Sequence, residues 1–421
     1  MHLTKAFGHV AISQLPWQYL LAVKSPWNPL QFLLKQSHEE LNDLHRLFGR
    51  IVHVLLALHA VLYLNFFVRI SVLDKKIKDP IVRLGIIGFW SFNFLAFLSV
   101  PPIRRRVYHK VFYRSHVVLT AIVLPVLYFH VPYTRTYVMQ AGALFLFNGF
   151  TRGLATSPAV SVRIEKIEGT SLLRLKADGS ASGYLGKWTP GMHVYLKQSN
   201  SPVHPKTPFT VVQWPLGNQN EKASIDLVVR DLSGPQTGWL AKQDKVNLLL
   251  EGPYGESKNY LPPLLKNRTE EDAIMLVAGG VGITYTLPIY LALLDKFRSS
   301  TNITFIWYVK SIAEAAWVVE MLSSTSCNLN VSIYITGDES TGKSTNLGGI
   351  KKGINVYSPQ EREHVANIVD GVFERGDGRV CVFACGPSRM ASALRTEVAF
   401  HVMRNGRDVL YHEEQFGLGS S

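Results

Sequence analysis

Cysteine is nearly missing from this chain: three in 421 residues, at 327, 381 and 385. That excludes a disulfide framework and suits a reducing compartment for the half that carries them. Acidic side chains are also scarce, 31 against 44 lysines and arginines, for a formal net charge of +13. Such a surplus could fit a nucleic-acid binder. Much of it, however, sits in short segments beside apolar runs, such as IRRRVYHKVFYR (103–114), where basic residues flank membrane spans. Nucleic acid is therefore not expected as a partner. A clear signal peptide or targeting motif is also lacking after Met1.

Long apolar runs are not lacking, but they are confined to residues 1–155. Four stand out: 49–70, 84–100, 115–133 and 136–150, with a weaker fifth at 6–23. A span needs roughly 17–25 residues, so these predict a multi-pass helical bundle in a lipid bilayer. Basic residues occur in both the 69–83 and the 101–114 connections, so charge alone orients the bundle weakly. If the remaining two thirds are cytosolic, the first and third main spans run from inside to outside.

Histidine inside such spans is costly and signals function. His45 and His59 are 14 residues apart, and so are His116 and His130. Fourteen steps return a helical side chain to within roughly 40° of its first direction, about 21 Å further along. Each helix thus carries two imidazoles on one stripe. The two helices run parallel, so His45 levels with His116 near the inner face and His59 with His130 near the outer. Two axial imidazoles per level are what a six-coordinate haem needs. His53 points elsewhere, about 80° from His45, and His109 lies in the basic connection.

From Ala159 to Pro253 the pattern changes to short alternating runs: SVRIEKI, SLLRLKA, GMHVYLKQ, PFTVVQW, ASIDLVVR and KVNLLLEG. Six strands at this spacing predict a small antiparallel barrel. From Ala273, strand and helix patterns alternate, with strands expected at AIMLVAG, NITFIWYVK, NVSIYIT and RVCVFACGP. These predict a doubly wound parallel sheet. The polar stretch 337–364 reads as a mobile surface loop, and the segment leading to Phe416 shows no strand character. GDESTGKS (337–344) formally fits a triphosphate-binding loop, but TNLGGIKKG follows it where a helix is required.

The turn AGGVGIT, Ala278 to Thr284, joins a strand to a helix. Its glycines allow close approach of a pyrophosphate and the helix start offers amide donors. Cys385-Gly386-Pro387 ends another strand of the same sheet. After the second strand stand Lys310 and Ser311 instead of the acidic residue that holds a bare ribose, which favours the 2′-phosphate of NADPH over NADH.

Taken together, these motifs resemble the ferric reductase and NADPH oxidase superfamily, most closely its fungal ferric-chelate reductases, over nearly all of residues 10–418. LHRLFGRIVHVLLALHA and FYRSHVVLTAIVLPVLYFH resemble that family's two haem helices, PFTVV its flavin motif, and AGGVGIT, CGP and HEEQFG its nicotinamide and flavin-covering elements. The resemblance implies a transmembrane haem bundle (1–155), an FAD barrel (156–265) and a ferredoxin reductase-like NADPH domain (266–421). It implies two b-type haems held by His45, His59, His116 and His130. Pro208, Phe209, Thr210 and Val211 would contact FAD, with Thr207 where the family has histidine and a His-Pro pair displaced to 204–205. Gly279, Gly280, Gly282 and Thr284 would meet the NADPH phosphates and Lys310 the 2′-phosphate. Cys385, Gly386 and Pro387 would lie by the nicotinamide and Phe416 over the flavin ring, Cys385 and Phe416 being the catalytic candidates. The family's first core span and external N-terminal region have no counterpart here. The implied activity carries electrons from cytosolic NADPH across the plasma membrane to ferric chelates. A superoxide-generating oxidase and a non-catalytic membrane paralogue stand as alternatives, and oligomeric state is open.

Overall fold

The computed structural model describes residues 2–414 except 26, 35, 37, 108–110, 200–205, 215–223, 235, 270, 298–301, 338–351, 359–363 and 376–377. His109, the His204–Pro205 pair, the triphosphate-loop lookalike beyond Gly337, and Phe416 therefore lie outside the described residues. The chain divides into two compact units after Ala155.

The first unit is helical: α1 (His2–Ser13), α2 (Leu15–Leu21), α3 (Pro29–Leu34), α4 (His38–Arg69), α5 (Leu73–Lys76), α6 (Pro80–Ser99), α7 (Pro101–Val107), α8 (Tyr113–His130) and α9 (Arg135–Leu154). The weak run 6–23 is two helices, because Pro16 opens a new first turn in α2. Asp79 starts α6, its carboxylate accepting from the Ile81 amide at 3.0 Å ahead of Pro80. Ala11, Ile12, Leu15, Val52, Val123, Leu127 and Ala141 meet in one core. The outward side is apolar as well: Val54, Val61 and Leu64 of α4 and Ile87, Trp90 and Phe97 of α6 are exposed. An apolar exterior of this kind is lipid-facing. Leu41–Arg69 and Pro80–Ser99, with mean hydropathies of 2.1 and 1.8, are each long and apolar enough to cross a bilayer.

The second unit begins with a closed barrel of order β1-β2-β5-β4-β3-β6. Its strands are β1 (Val160–Lys166), β2 (Leu172–Asp178), β3 (His193–Gln198), β4 (Thr207–Gln213), β5 (Ser224–Arg230) and β6 (Lys245–Tyr254), all pairing antiparallel. All six fall on the alternating runs. Alternate residues turn inward, so Val162, Leu175, Val194, Leu196, Val211 and Leu227 fill the interior. The helices α10 (Thr237–Leu240) and α11 (Ser257–Asn267) lead onward.

A parallel sheet of order β10-β9-β8-β7-β11-β12 follows. It comprises β7 (Ala273–Gly279), β8 (Ile303–Val309), β9 (Val331–Ile335), β10 (Ile354–Tyr357), β11 (Val380–Cys385) and β12 (Val409–Glu414). Helices α12 (Ile283–Phe297) and α13 (Ile312–Ser323) cover one face, and α14 (Val365–Phe373) and α15 (Ser388–Asn405) the other. Every residue of β7 is buried, as expected of a central strand covered on both faces. Two expectations need correction. Ile354–Tyr357 is not loop but the edge strand β10, paired in parallel with β9. The segment before Phe416 is the strand β12, paired in parallel with β11. Both are edge strands, β10 only four residues long and β12 covered only in part, so neither shows the unbroken pattern of a central strand. Leu172, Val212 and Val228 of the barrel share a hydrophobic cluster with Ile283 and Tyr285 of α12.

Leu227 is wholly buried in the barrel and Leu232 is 75% exposed. Leu227→Ala should destabilise by about 2–5 kcal/mol and lower the thermal midpoint of the purified chain. Leu232→Ala should stay within about 0.5 kcal/mol of wild type. Equal midpoints for the two variants would contradict the barrel packing.

Candidate functional site

In the helical unit the four histidines lie on two helices, α4 and α8. His45 of α4 and His116 of α8 face each other with ring centres 6.2 Å apart. Two imidazoles sharing one metal at about 2 Å each would have ring centres roughly 6 Å apart. His59 and His130 lie on the same two helices, fourteen residues further along each.

Three of the rings share one hydrogen-bond pattern. Nδ1 of His45 meets the Gln18 carbonyl at 3.0 Å, that of His59 the Thr4 carbonyl at 2.8 Å, and that of His130 the Ile81 carbonyl at 2.8 Å. A carbonyl oxygen only accepts, so each Nδ1 carries the proton and each Nε2 keeps its lone pair. That is how proteins fix an imidazole for metal ligation. Nδ1 of His116 is buried with no hydrogen-bond partner among the described residues. His53 likewise leaves Nδ1 buried and unpartnered, and it belongs to neither pair. The Gln18 amide also donates to the His45 carbonyl at 3.0 Å. Among the described residues no three His, Cys, Asp or Glu side chains converge as a metal cage.

In the second unit, Thr207 to Val211 lie on β4. Thr210 and Val211 are buried, and Phe209 packs against the barrel core. Pro208 pairs with Tyr195 and Thr210 with His193 across β3. Beneath them Glu251, 1% exposed, forms an ion pair with Lys206 and accepts from the Tyr254 hydroxyl at 3.0 Å. Trp188 and Trp214 stack in parallel at 6.0 Å.

The glycine turn sits where the strand order reverses, between the carboxyl ends of β7 and β11, the place where open α/β sheets bind ligands. Crowding there explains the glycines. A Cβ on Gly282 would lie 2.1 Å from the Cys385 carbonyl oxygen, and one on Gly279 2.6 Å from Pro387. A Cβ on Gly386 would lie 2.9 Å from the Gly279 amide nitrogen, and Gly280 has a φ of +54°. Trp307 donates to the Gly280 carbonyl at 2.9 Å. The Thr284 hydroxyl is buried and donates to Val281 in its own helical turn. Lys310 is exposed at the carboxyl end of β8, and Ser311 caps α13.

Composition and motifs did not single out Arg230, at the end of β5. Its guanidinium grips Glu314 of α13 in a bidentate pair at 2.9 and 2.7 Å, joining barrel to sheet. Its Nη2 lies 3.6 Å from where a Gly280 Cβ would stand, placing a cation beside the turn. Cys385 is fully buried, and burial holds its thiol well above the ordinary range, so it is present as thiol. His412 of β12 is stacked on Tyr260 at 3.6 Å and on Phe383 at 5.6 Å. Burial lowers its pKa to about 4, leaving a neutral ring at physiological pH.

Comparison with known proteins agrees with this layout. Residues 7–127 match the family model described as ferric reductase like transmembrane component, and residues 271–399 match the ferric reductase NAD binding domain. Together the two matches span more than half the chain. Over 94% of its length the chain is 22% identical to ferric reductase transmembrane component 1 of Schizosaccharomyces pombe, covering 76% of that protein. It is 27% identical, over 91% of its length, to the probable metalloreductase AIM14 of Meyerozyma guilliermondii, covering 78% of it. It is 23% identical to the probable cell surface ferric reductase kap2 of Aspergillus oryzae, spanning 93% of this chain but 54% of that one. With a lipid-facing bundle of paired histidines, a closed barrel and a glycine-gated parallel sheet, the chain is a membrane oxidoreductase and belongs to the ferric reductase family.

Proposed function

We propose that this protein carries electrons from cytosolic NADPH, by way of FAD and two b-type haems, to ferric chelates outside the plasma membrane. The observation that carries the reading is the pairing of His45 with His116 at 6.2 Å together with the carbonyl-bound Nδ1 atoms of His45, His59 and His130. When bound, flavin and haem supply the change from two-electron to one-electron chemistry. The rest falls to the chain.

His45 and His116 would hold the inner haem, and His59 and His130 the outer. Each ring bound through Nδ1 to a carbonyl offers Nε2 without having to lose a proton first. On the soluble side, the backbone of Thr207 to Val211 would line the flavin. Gly279 and Gly282 let Cys385 to Pro387 close against the turn, and Gly280, open on its outer side, would leave room for nucleotide phosphates at the start of α12. The Arg230 cation beside Gly280 would favour those phosphates, and exposed Lys310 would receive the 2′-phosphate. The thiol of Cys385, kept protonated by burial, fits a packing role beside the nicotinamide and not nucleophilic attack. The names of the relatives support a metal chelate as the acceptor over dioxygen.

Isolated membranes given NADPH should show a reducible b-type haem spectrum and reduce a ferric chelate. A stoichiometric superoxide yield in place of ferrous product would overturn the choice of acceptor. His59→Leu and His130→Leu should each leave one haem per chain while NADPH-to-flavin reduction persists. His53→Leu should keep both haems. Two haems retained in either of the first pair would show the pairing to be wrong.

Lys310→Glu tests the cofactor choice. Losing a charge-assisted contact removes about 1.5–3 kcal/mol, so the KM for NADPH should rise roughly 10–100-fold. The KM for NADH should move far less. An equal rise for both cofactors would remove Lys310 from the 2′-phosphate site.

A further inference from the structure

Two of the paired imidazoles are seated by the same backbone device on different helices. On α1 the Thr4 carbonyl takes Nδ1 of His59, and Gly8 stands four residues later. On α6 the Ile81 carbonyl takes Nδ1 of His130, and Gly85 stands four residues later. In an α-helix, positions i and i+4 lie one above the other, and the carbonyl of i already faces the amide of i+4. A ring that shares that carbonyl must therefore lie across residue i+4.

The space left by the two glycines shows that it does. A Cβ on Gly8 would stand 2.6 Å from Nδ1 and 2.7 Å from Cε1 of His59. A Cβ on Gly85 would stand 2.6 Å from Cε1 and 3.2 Å from Nε2 of His130. Real Cβ atoms do not approach that closely, so any other residue would drive the ring off its carbonyl. Among the described glycines of these helices, Gly8 and Gly85 alone would press a Cβ against a histidine ring; a Cβ on Gly49 would meet the Gln18 amide nitrogen at 3.0 Å. A Cβ on Gly88, one turn further along α6, meets only ordinary contacts at 3.7 Å, and Gly149 of α9 has nothing within 4 Å.

We propose that Gly8 and Gly85 are positioning residues of the outer histidine pair, forming backbone sockets in which the carbonyls of Thr4 and Ile81 fix the Nδ1 proton and leave Nε2 as the haem ligand. The haem part rests on the functional reading above; the socket itself rests on the geometry alone. The two glycines are 77 positions apart in sequence and sit against the two histidines that the functional reading assigns to the outer haem.

The test uses the full-length chain. Gly8→Ala and Gly85→Ala should each weaken retention of one haem, roughly 10–100-fold as for other groups that orient a metal-bound histidine, and leave the second haem in place. Haem per chain and the midpoints of a spectroscopic redox titration provide the readout. Gly88→Ala and Gly149→Ala should leave both haems and both midpoints unchanged. Retention of two haems with unshifted midpoints in Gly8→Ala and Gly85→Ala would overturn the proposal.

A second measurement covers the case in which an alanine variant folds poorly or the wild type holds no haem. Gly8→Ala should lower the thermal midpoint in the wild-type background but not in His59→Ala, where the conflicting ring is gone. The same should hold for Gly85→Ala with His130→Ala. A penalty that persists without the ring would overturn the socket. A wild type without haem that still showed the ring-dependent penalty would reject the haem reading and keep the socket.

Discussion

A ring N–H left unpartnered in hydrocarbon is costly. No water is there to accept it, and an unmet polar group costs several kcal/mol. The helical unit is organised around that constraint. Nδ1 of His45, His59 and His130 finds its acceptor within the protein, in backbone carbonyls of Gln18, Thr4 and Ile81. Using their second lone pair brings an imidazole against a neighbouring helix, and glycine permits that approach at Gly8 and Gly85. His116 departs from the pattern, its Nδ1 buried without a hydrogen-bond partner among the described residues. The inner pair is thus built asymmetrically, with one anchored ring and one unanchored.

The soluble unit meets a different constraint, crowding instead of desolvation. Where β7 and β11 end side by side, backbone meets backbone at Gly282 and Cys385 and again at Gly279 and Gly386. Side chains are excluded from the point where a nucleotide would approach, while Trp307 steadies the turn from below through the Gly280 carbonyl. Charge comes from outside the turn: Arg230 reaches over from the barrel and is itself neutralised by Glu314. One ion pair therefore both orients the cation and couples the two sub-structures.

Much of this was legible in the sequence. The six barrel strands and the central strands of the sheet announce themselves by alternation or by unbroken burial. The spacing of 14 between His45 and His59, and between His116 and His130, puts two histidines on each of α4 and α8, and the rings of His45 and His116 lie 6.2 Å apart. What escaped has physical reasons. The strands β10 and β12 are edges, and VLYHEE mixes apolar and acidic residues because no position of it is fully covered. The partners of the histidines are backbone atoms 55 and 49 positions away, and a carbonyl leaves no trace in a sequence. Arg230 and Glu314 are 84 positions apart and look like surface charges until the fold closes.

The hydrophobic cluster shared by Leu172, Val212 and Val228 with α12 has a mechanical consequence. Barrel and sheet have no independent apolar faces at their seam, since each completes the core of the other. Reinforced by the clamp of Arg230 on Glu314, the seam favours a single cooperative melting transition over two. A hinge between the two would have to expose that core with every turnover.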